Sequence, residues 1–109
     1  MLTEQPILIA SIQAAANLAK NLFIGFDGDI CGNGVKALGV CNAETDELEQ
    51  APVMSKGIAL VTTGDTVTVG DKVQSNAEGK AVTFASGEAN GFAMDTSSGA
   101  DELIRILLV

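Results

Sequence analysis

KGIALVTTGDTVTVGDKVQSNAEGKAVTF, the stretch Lys56–Phe84, decides the fold class of this chain. It alternates short runs rich in valine and threonine with tight polar turns. β-Branched residues favour strands, whereas Gly and Asp favour turns. The pattern therefore predicts short strands separated by turns. The strands are Gly57–Thr63, Thr66–Val69, Lys72–Ser75 and Lys80–Ala85, and the turns are Gly64-Asp65, Gly70-Asp71 and Asn76–Gly79.

The flanking sequence continues this pattern in both directions. Ala14–Ala19 is the one helix-prone piece, and it is short enough that a loop of small residues is an equally good interpretation. Asn42–Gln50 is acidic and is predicted to be a solvated loop or a short helix. Further strands are predicted at Pro6–Ile12, Leu22–Phe26, Val35–Cys41, Ala51–Ser55, Phe92–Met94 and Leu103–Val109.

This series of short strands predicts an all-β fold in a chain of single-domain size. We expect a small β-barrel or β-sandwich with an extended N-terminal arm and at most one short helix. Residues 1–13 form the N-terminal arm or first strand, and residues 14–109 form the barrel or sandwich body. Both alternatives remain open for the first segment, because a proline-led apolar run favours extended backbone whether or not it is paired.

Charge and composition exclude several kinds of partner. The net charge is −8, and the six Lys and Arg residues are scattered singly. Nucleic-acid backbones and anionic membrane surfaces both attract clustered basic residues, so neither is expected as a partner. No apolar run approaches the roughly 20 residues of a membrane span. Glu4 stands where a secretory signal would be basic, so no such signal is predicted.

The chain lacks the residue sets that carry catalysis. It contains no histidine, the usual base in nucleophilic and acid–base mechanisms. Cys31 and Cys41 are too far apart for a Cys-x-x-Cys motif, and we expect buried, reduced thiols. We therefore predict that the protein is not an enzyme and that it has no catalytic residue, no cofactor and no metal ligand.

The nearest approach to a metal site is Asp27-Gly28-Asp29 with Asn33. Its oxygens suit Ca²⁺, but the closing acidic residue and the regular ligand spacing of a calcium loop are missing. Asp27, Asp65 and Asp71 all stand in turns, where a carboxylate can accept hydrogen bonds from backbone N–H groups. We predict that these three residues cap their turns.

Several pieces of the chain, taken in order, match a known family. They are Pro6–Ile12, Phe23–Gly28, Ala37–Val40, Ala51–Val53, Gly57–Val61, Val69–Val73, Glu78–Val82, Gly91–Ala93 and Leu103–Val109. Each piece alone is generic β-sheet sequence, and their order over most of the chain is the specific feature. On these pieces the chain resembles the small capsid decoration (cement) and head-fibre proteins of tailed bacteriophages.

The resemblance implies a structural, non-catalytic virion protein with a compact β-barrel or β-tulip-like body. It implies that the protein binds the major capsid protein on the outer surface of an icosahedral head and stabilises the lattice. It also implies a homo-trimer on the capsid and synthesis in the cytoplasm of the bacterial host. The family offers no residue signature for binding that can be transferred position by position.

The apolar N-terminal segment is the candidate contact element. We expect Ile7, Ile9 and Ile12 to contact the capsid or a sister subunit, since an extended arm can add a strand to a neighbour's sheet edge. An ordinary first strand of the barrel is the alternative interpretation of this segment.

A second class of function is a soluble β-barrel module that binds a carbohydrate or a peptide. Sugar sites usually offer an aromatic platform, and four Phe with no Trp or Tyr disfavour one.

Overall fold

The computed structural model describes residues 3–109, so Met1 and Leu2 of the N-terminal segment lie outside the described residues. This part of the chain contains eight strands and no helix. No helix able to cross a membrane is found in it. The strands are β1 Gln5–Gln13, β2 Phe23–Ile24, β3 Gly39–Cys41, β4 Gln50–Thr62, β5 Lys72–Ser75, β6 Ala81–Thr83, β7 Gly91–Ala93 and β8 Leu103–Leu108.

All eight strands form one antiparallel sheet in the order β2-β3-β4-β8-β7-β5-β6, with β1 added to β4. The long strand β4 is the centre of this arrangement. β1 follows one of its edges from Gln50 to Ile58, while β3 and β8 pair with successive parts of the other edge.

The sheet curls until its ends nearly meet. Thr63, just after β4, forms a parallel bridge with Ala81 of β6. The backbone N–H of Phe23 in β2 donates to the carbonyl of Gly79 before β6, at 2.8 Å. These contacts bring the last strand of the sheet close to its first. The predicted all-β, single-domain fold is confirmed, and of the barrel and sandwich alternatives the structure shows a nearly closed barrel.

Two apolar clusters lie on opposite sides of the sheet. Cross-strand partners point to the same side, so Phe23, Val40 and Met54 share the inner side, whereas Cys41 and Val53 share the outer side. The inner core consists of Phe23, Cys31, Ala37, Val40, Met54, Ala59, Val61, Val67, Val73, Ala81, Ala93, Ile104, Ile106 and Leu108. The outer core consists of Ala14, Leu18, Ile24, Cys41, Ala51 and Val53, with Ile12, Ile30 and Leu38 packed against it.

Two irregularities shift the alternation of side chains along β4. In the β1–β4 register, neither Ile7 of β1 nor Ser55 of β4 has a partner residue on the opposite strand. A bulge moves the side chains that follow it to the other side of the sheet. As a result Met54 before the bulge and Ala59 after it both reach the inner core, although they are an odd number of residues apart.

Two predictions about local structure are wrong, and one alternative that the sequence leaves open is decided. The predicted strands Ala51–Ser55 and Gly57–Thr63 are one continuous strand, β4, because β1 pairs across the Lys56-Gly57 junction. Thr66–Val69 is not a strand; it contributes one bridge, between Val67 and Ser97. A helix in Ala14–Ala19, one of the two alternatives, is not formed.

The Ala14–Ala19 segment is held in a loop by contacts with residues far away in sequence. The backbone N–H of Leu18 donates to the carbonyl of Thr45 at 2.8 Å, and the N–H of Ala14 donates to that of Glu49 at 2.8 Å. Leu18 and Ala14 are both buried in the outer core. The stabilisation from this burial exceeds that of a local helix, because a helix of so few residues has little stability of its own.

Candidate interaction surface

The three aspartates predicted to cap turns do so, which confirms that prediction. In each case a carboxylate oxygen accepts a hydrogen bond from a backbone N–H of its own turn. The pairs are Asp27 Oδ1 with the N–H of Asp29 at 3.1 Å, Asp65 Oδ1 with Thr66 at 2.7 Å, and Asp71 Oδ2 with Thr68 at 3.2 Å.

Two oxygens of the candidate calcium site accept hydrogen bonds from other residues of the chain. Asp29 Oδ1 accepts from the N–H of Ile30 at 2.7 Å, and Asn33 Oδ1 accepts from Gln74 Nε2 at 3.3 Å. Among residues 3–109, no group of three or more Cys, Asp or Glu is placed to hold a metal ion. The turn chemistry therefore accounts for the acidic residues of this region.

An open depression of about 480 Å³ lies beside this turn, lined by Phe26, Cys31, Val35 and Lys36 among others. The Cys31 thiol donates a hydrogen bond to the Val35 carbonyl at 3.2 Å, and burial raises the pKa of the thiol. A reactive cysteine needs a thiolate, which a raised pKa disfavours. Both cysteines are free and buried, as predicted.

β1 is an edge strand. Within residues 3–109 it pairs with β4 alone, so the backbone groups on its far side have no strand partner. Such an edge is a template on which another chain can add a strand. This unpaired edge also carries exposed apolar side chains: Ile7 is 83% exposed and Ile9 is 45% exposed.

The structure places the three predicted contact residues in different surroundings. Ile7 is the bulged residue of β1 and projects into solvent. Ile9 lies opposite Met54 on the inner side of the sheet, and Ile12 lies opposite Ala51 on the outer side. Ile12 is half-buried against the outer core, so it fixes the end of β1 to the body.

The acidic loop, residues 42–49, projects from the body beside the end of β1. Its residues Glu44, Asp46, Glu47 and Glu49 are exposed, and Leu48 between them is 69% exposed. The backbone of Leu48 is nevertheless fixed: its N–H donates to the Ala14 carbonyl at 2.8 Å, and its carbonyl accepts from Gln13 Nε2 at 3.1 Å. The loop thus presents an apolar side chain amid four carboxylates.

A second apolar surface, not singled out from the sequence, lies on the outer side of β4, β8 and β7. Register places Ile58, Leu107 and Phe92 in one row across these strands, with Leu60 and Leu103 beside it. Leu8 lies opposite Lys56 on the same side. We call this surface the outer apolar face; it consists of Leu8, Ile58, Leu60, Phe92, Leu103 and Leu107.

The alternation of buried and exposed residues in LIRILL, residues 103–108, is the sequence signal that could have revealed this face. The row across the strands could not be seen in the sequence, because it depends on the register between β4, β8 and β7.

Charged groups border the outer apolar face, and one ion pair lies within it, since Arg105 stands between Leu103 and Leu107 on β8. Arg105 Nη2 and Nε contact Asp95 Oδ1 and Oδ2 at 2.9 and 3.0 Å, and these hydrogen bonds lower the pKa of the Asp95 carboxyl. Lys72 lies directly opposite Phe92, with its Nζ 4.7 Å from the ring centroid of Phe84. Lys56 lies on the same side of β4 as Ile58. Apart from the neutralised Arg105–Asp95 pair, the face is therefore apolar, with two lysines at its rim.

The architecture matches a solved structure, the crystal structure of the head fiber gp8.5 N base in bacteriophage phi29. The TM-score is 0.78 over 94% of this chain and 93% of that one, with 14% sequence identity. At that identity the likeness shows a shared fold. No curated protein matches the chain.

The phage cement protein family matches residues 3–108, almost the whole chain and every strand described above. The resemblance found in the ordered β-sheet pieces is thereby confirmed, and with it the structural character of the protein. The chain belongs to the phage cement protein family, a family of structural proteins associated with the phage head.

Proposed function

We propose that the protein binds the outer surface of an icosahedral phage head as a homo-trimer, contacts the major capsid protein through β1, and stabilises the capsid lattice without catalysis. The observation that carries this proposal is the open edge of β1 with its exposed apolar side chains. The likeness of the chain to a head-fibre base supports it.

The physical basis of stabilisation is linkage. A protein that binds only the assembled lattice lowers the free energy of that state at every occupied site, by about 2.7 kcal/mol when its free concentration is 100 times Kd. Because a shell offers many equivalent sites, modest affinity at each is sufficient. No reactive group is needed for this effect, and a stable sheet body that presents a binding edge is adequate.

The proposed contact is addition of a strand. An extended segment of the capsid or of a sister subunit pairs with the free edge of β1, and the side chains of Ile7 and Ile9 pack against it. Ile12 has an anchoring role in this arrangement, because it joins the other end of β1 to the outer core. The division of the chain into an N-terminal contact segment, residues 1–13, and a body, residues 14–109, remains part of this proposal.

The test is co-sedimentation of the protein with undecorated heads of its own phage. We expect the wild type to sediment with the heads, and the double variant Ile7→Lys, Ile9→Lys to remain in the supernatant with an unchanged thermal unfolding midpoint. Val69→Lys is the matched control, since Val69 is an exposed apolar residue on a loop away from β1, and this variant should bind normally.

Two results would contradict the proposal at different levels. Failure of the wild type to sediment with heads would contradict the function itself. Normal binding by the Ile7, Ile9 double variant would leave head binding intact and would remove β1 as its contact.

A further inference from the structure

The outer apolar face lies next to the outer core, but no segment of residues 3–109 covers it. On one half of the sheet's outer side, residues such as Ala14 and Leu18 cover Val53 and Cys41. On the other half, within residues 3–109, Phe92, Leu103 and Leu107 remain 40–46% exposed. A contiguous apolar patch with a polar rim is typical of a protein–protein contact.

The charge at the rim restricts what can cover this face. No carboxylate of residues 3–109 forms an ion pair with Lys56 or Lys72, whereas Arg105 is already paired with Asp95. The face is thus positive in a chain whose net charge is −8. Two copies that met face to face would bring these like charges together, which disfavours a symmetrical pair.

The acidic loop has the complementary character. It carries an exposed leucine, Leu48, whose backbone is held by hydrogen bonds and whose neighbours are carboxylates, whereas the outer apolar face has leucines with lysines at their rim. The acidic loop contacts Gln13, which lies beside the start of β4. The outer apolar face lies on the second half of β4, which ends at Thr62. The two surfaces therefore lie towards opposite ends of β4.

From this placement we infer that the outer apolar face of one copy receives the acidic loop of a second copy, with Leu48 packed among Ile58, Leu107 and Phe92. Such a contact joins two different surfaces and generates a head-to-tail ring when its rotation closes. The inference rests on the self-association contained in the proposed function and names the two surfaces that carry it. The free edge of β1 remains available to the capsid in this arrangement.

The test is a charge exchange followed by measurement of mass by sedimentation velocity. Lys56→Glu with Lys72→Glu should weaken association about tenfold or more, because two attractions become repulsions. Glu47→Lys with Glu49→Lys should weaken it similarly. Combining all four substitutions in one chain restores attraction at every contact, so this variant should regain the mass of the wild type.

The matched control is Lys20→Glu with Glu78→Lys, which exchanges two exposed charges outside both surfaces and should leave the mass unchanged. The inference is overturned if the wild type sediments as a single chain of 11.1 kDa at every soluble concentration, or if the combined variant stays dissociated. Head co-sedimentation is scored separately, so loss of the ring contact and loss of head binding are distinguished.

Discussion

The guanidinium of Arg105 and the carboxylate of Asp95 form a two-pronged ion pair on the outer side of the sheet, and the backbone N–H of Arg105 donates to the same carboxylate at 2.9 Å. One aspartate thus fixes both the side chain and the backbone of a β8 residue. Because each of these bonds favours the charged carboxylate, the pKa of Asp95 is held below its ordinary value of 3.8.

The first prediction concerns pH. A lowered folded pKa means that Asp95 contributes stability above the unfolded value of 3.8 and loses it as the pH falls through the lower, folded value. Asp95→Asn should therefore be less stable than the wild type at pH 7, and the difference should shrink below the ordinary pKa. Urea titrations at several pH values measure this. Arg105→Gln should show the same convergence, and a difference independent of pH for both variants would contradict the ion pair's role.

The second prediction concerns Asn90, which is buried and joins two segments. Its Oδ1 accepts from the N–H of Ala37 at 2.9 Å, and its Nδ2 donates to the carbonyl of Val35 at 3.2 Å. Asn90→Ala leaves the buried N–H of Ala37 without a partner, so the free energy of unfolding should fall by about 1–3 kcal/mol. Exposed Lys20 is the control, and Lys20→Ala should change stability by less than about 0.5 kcal/mol. Equal effects at both positions would contradict this assignment.

The third prediction concerns Gly39 in β3. A Cβ at this position would overlap the backbone carbonyl of Met54 on β4. Gly39→Ala should therefore force β3 away from β4 and cost about 1–3 kcal/mol, as overpacking does. A Cβ on Gly99 would meet nothing within 4 Å, so Gly99→Ala is the control and should be close to neutral. Denaturant unfolding measures the free energy of unfolding of both variants. Equal values for the two would contradict the close contact between β3 and β4.

The fourth prediction concerns the thiols. Cys31 lies in the inner core and Cys41 in the outer core, and each donates a hydrogen bond to a nearby carbonyl. Both should react with a chromogenic thiol reagent in denaturant, and at least about a thousandfold more slowly in the native protein, where reaction requires unfolding. Fast labelling of either thiol in native buffer, or a missing thiol in denaturant, would contradict two buried, reduced cysteines.

The fifth prediction separates stability from association at Leu48. Its φ of +74° is a left-handed conformation that costs a residue with a Cβ about 1–2 kcal/mol. Leu48→Gly removes this cost and should leave the monomer at least as stable as the wild type, while it weakens self-association because the apolar side chain is gone. Thermal unfolding of one preparation measures the stability, and sedimentation of the same preparation measures the self-association. A variant that unfolds more easily yet associates normally would contradict the role of Leu48.

Much of the fold could be predicted from local pattern. The strands near Lys72–Ser75, Lys80–Ala85 and Leu103–Val109 can be recognised in the sequence because alternation and turn residues are local signals. The single strand β4 could not be found in this way. Lys56-Gly57 has the composition of a turn, and the φ of +114° at Gly57 is of the kind found in turns. Pairing with Pro6, about fifty positions away, makes it part of a strand instead.

The candidate surfaces were predicted less completely, for a related reason. Ile7 and Ile9 could be singled out because an apolar run after a proline is visible in the sequence. The row of Ile58, Leu107 and Phe92 is created by register between three strands, and no local signal encodes it. Leu18 shows the same limit: its alanine-rich surroundings indicate a helix, and the distant partner Thr45 decides otherwise.

Within residues 3–109, β1 pairs with β4 alone, and this makes the resistance of the molecule to force depend on direction. Hydrogen bonds between antiparallel strands run perpendicular to the strands. A pull along β1 therefore loads the whole ladder from Gln5 to Gln13 at once, whereas a pull outward at one end breaks one pair after another. In the proposed contact, β1 would therefore resist tension that runs along the strand far better than tension that lifts one of its ends.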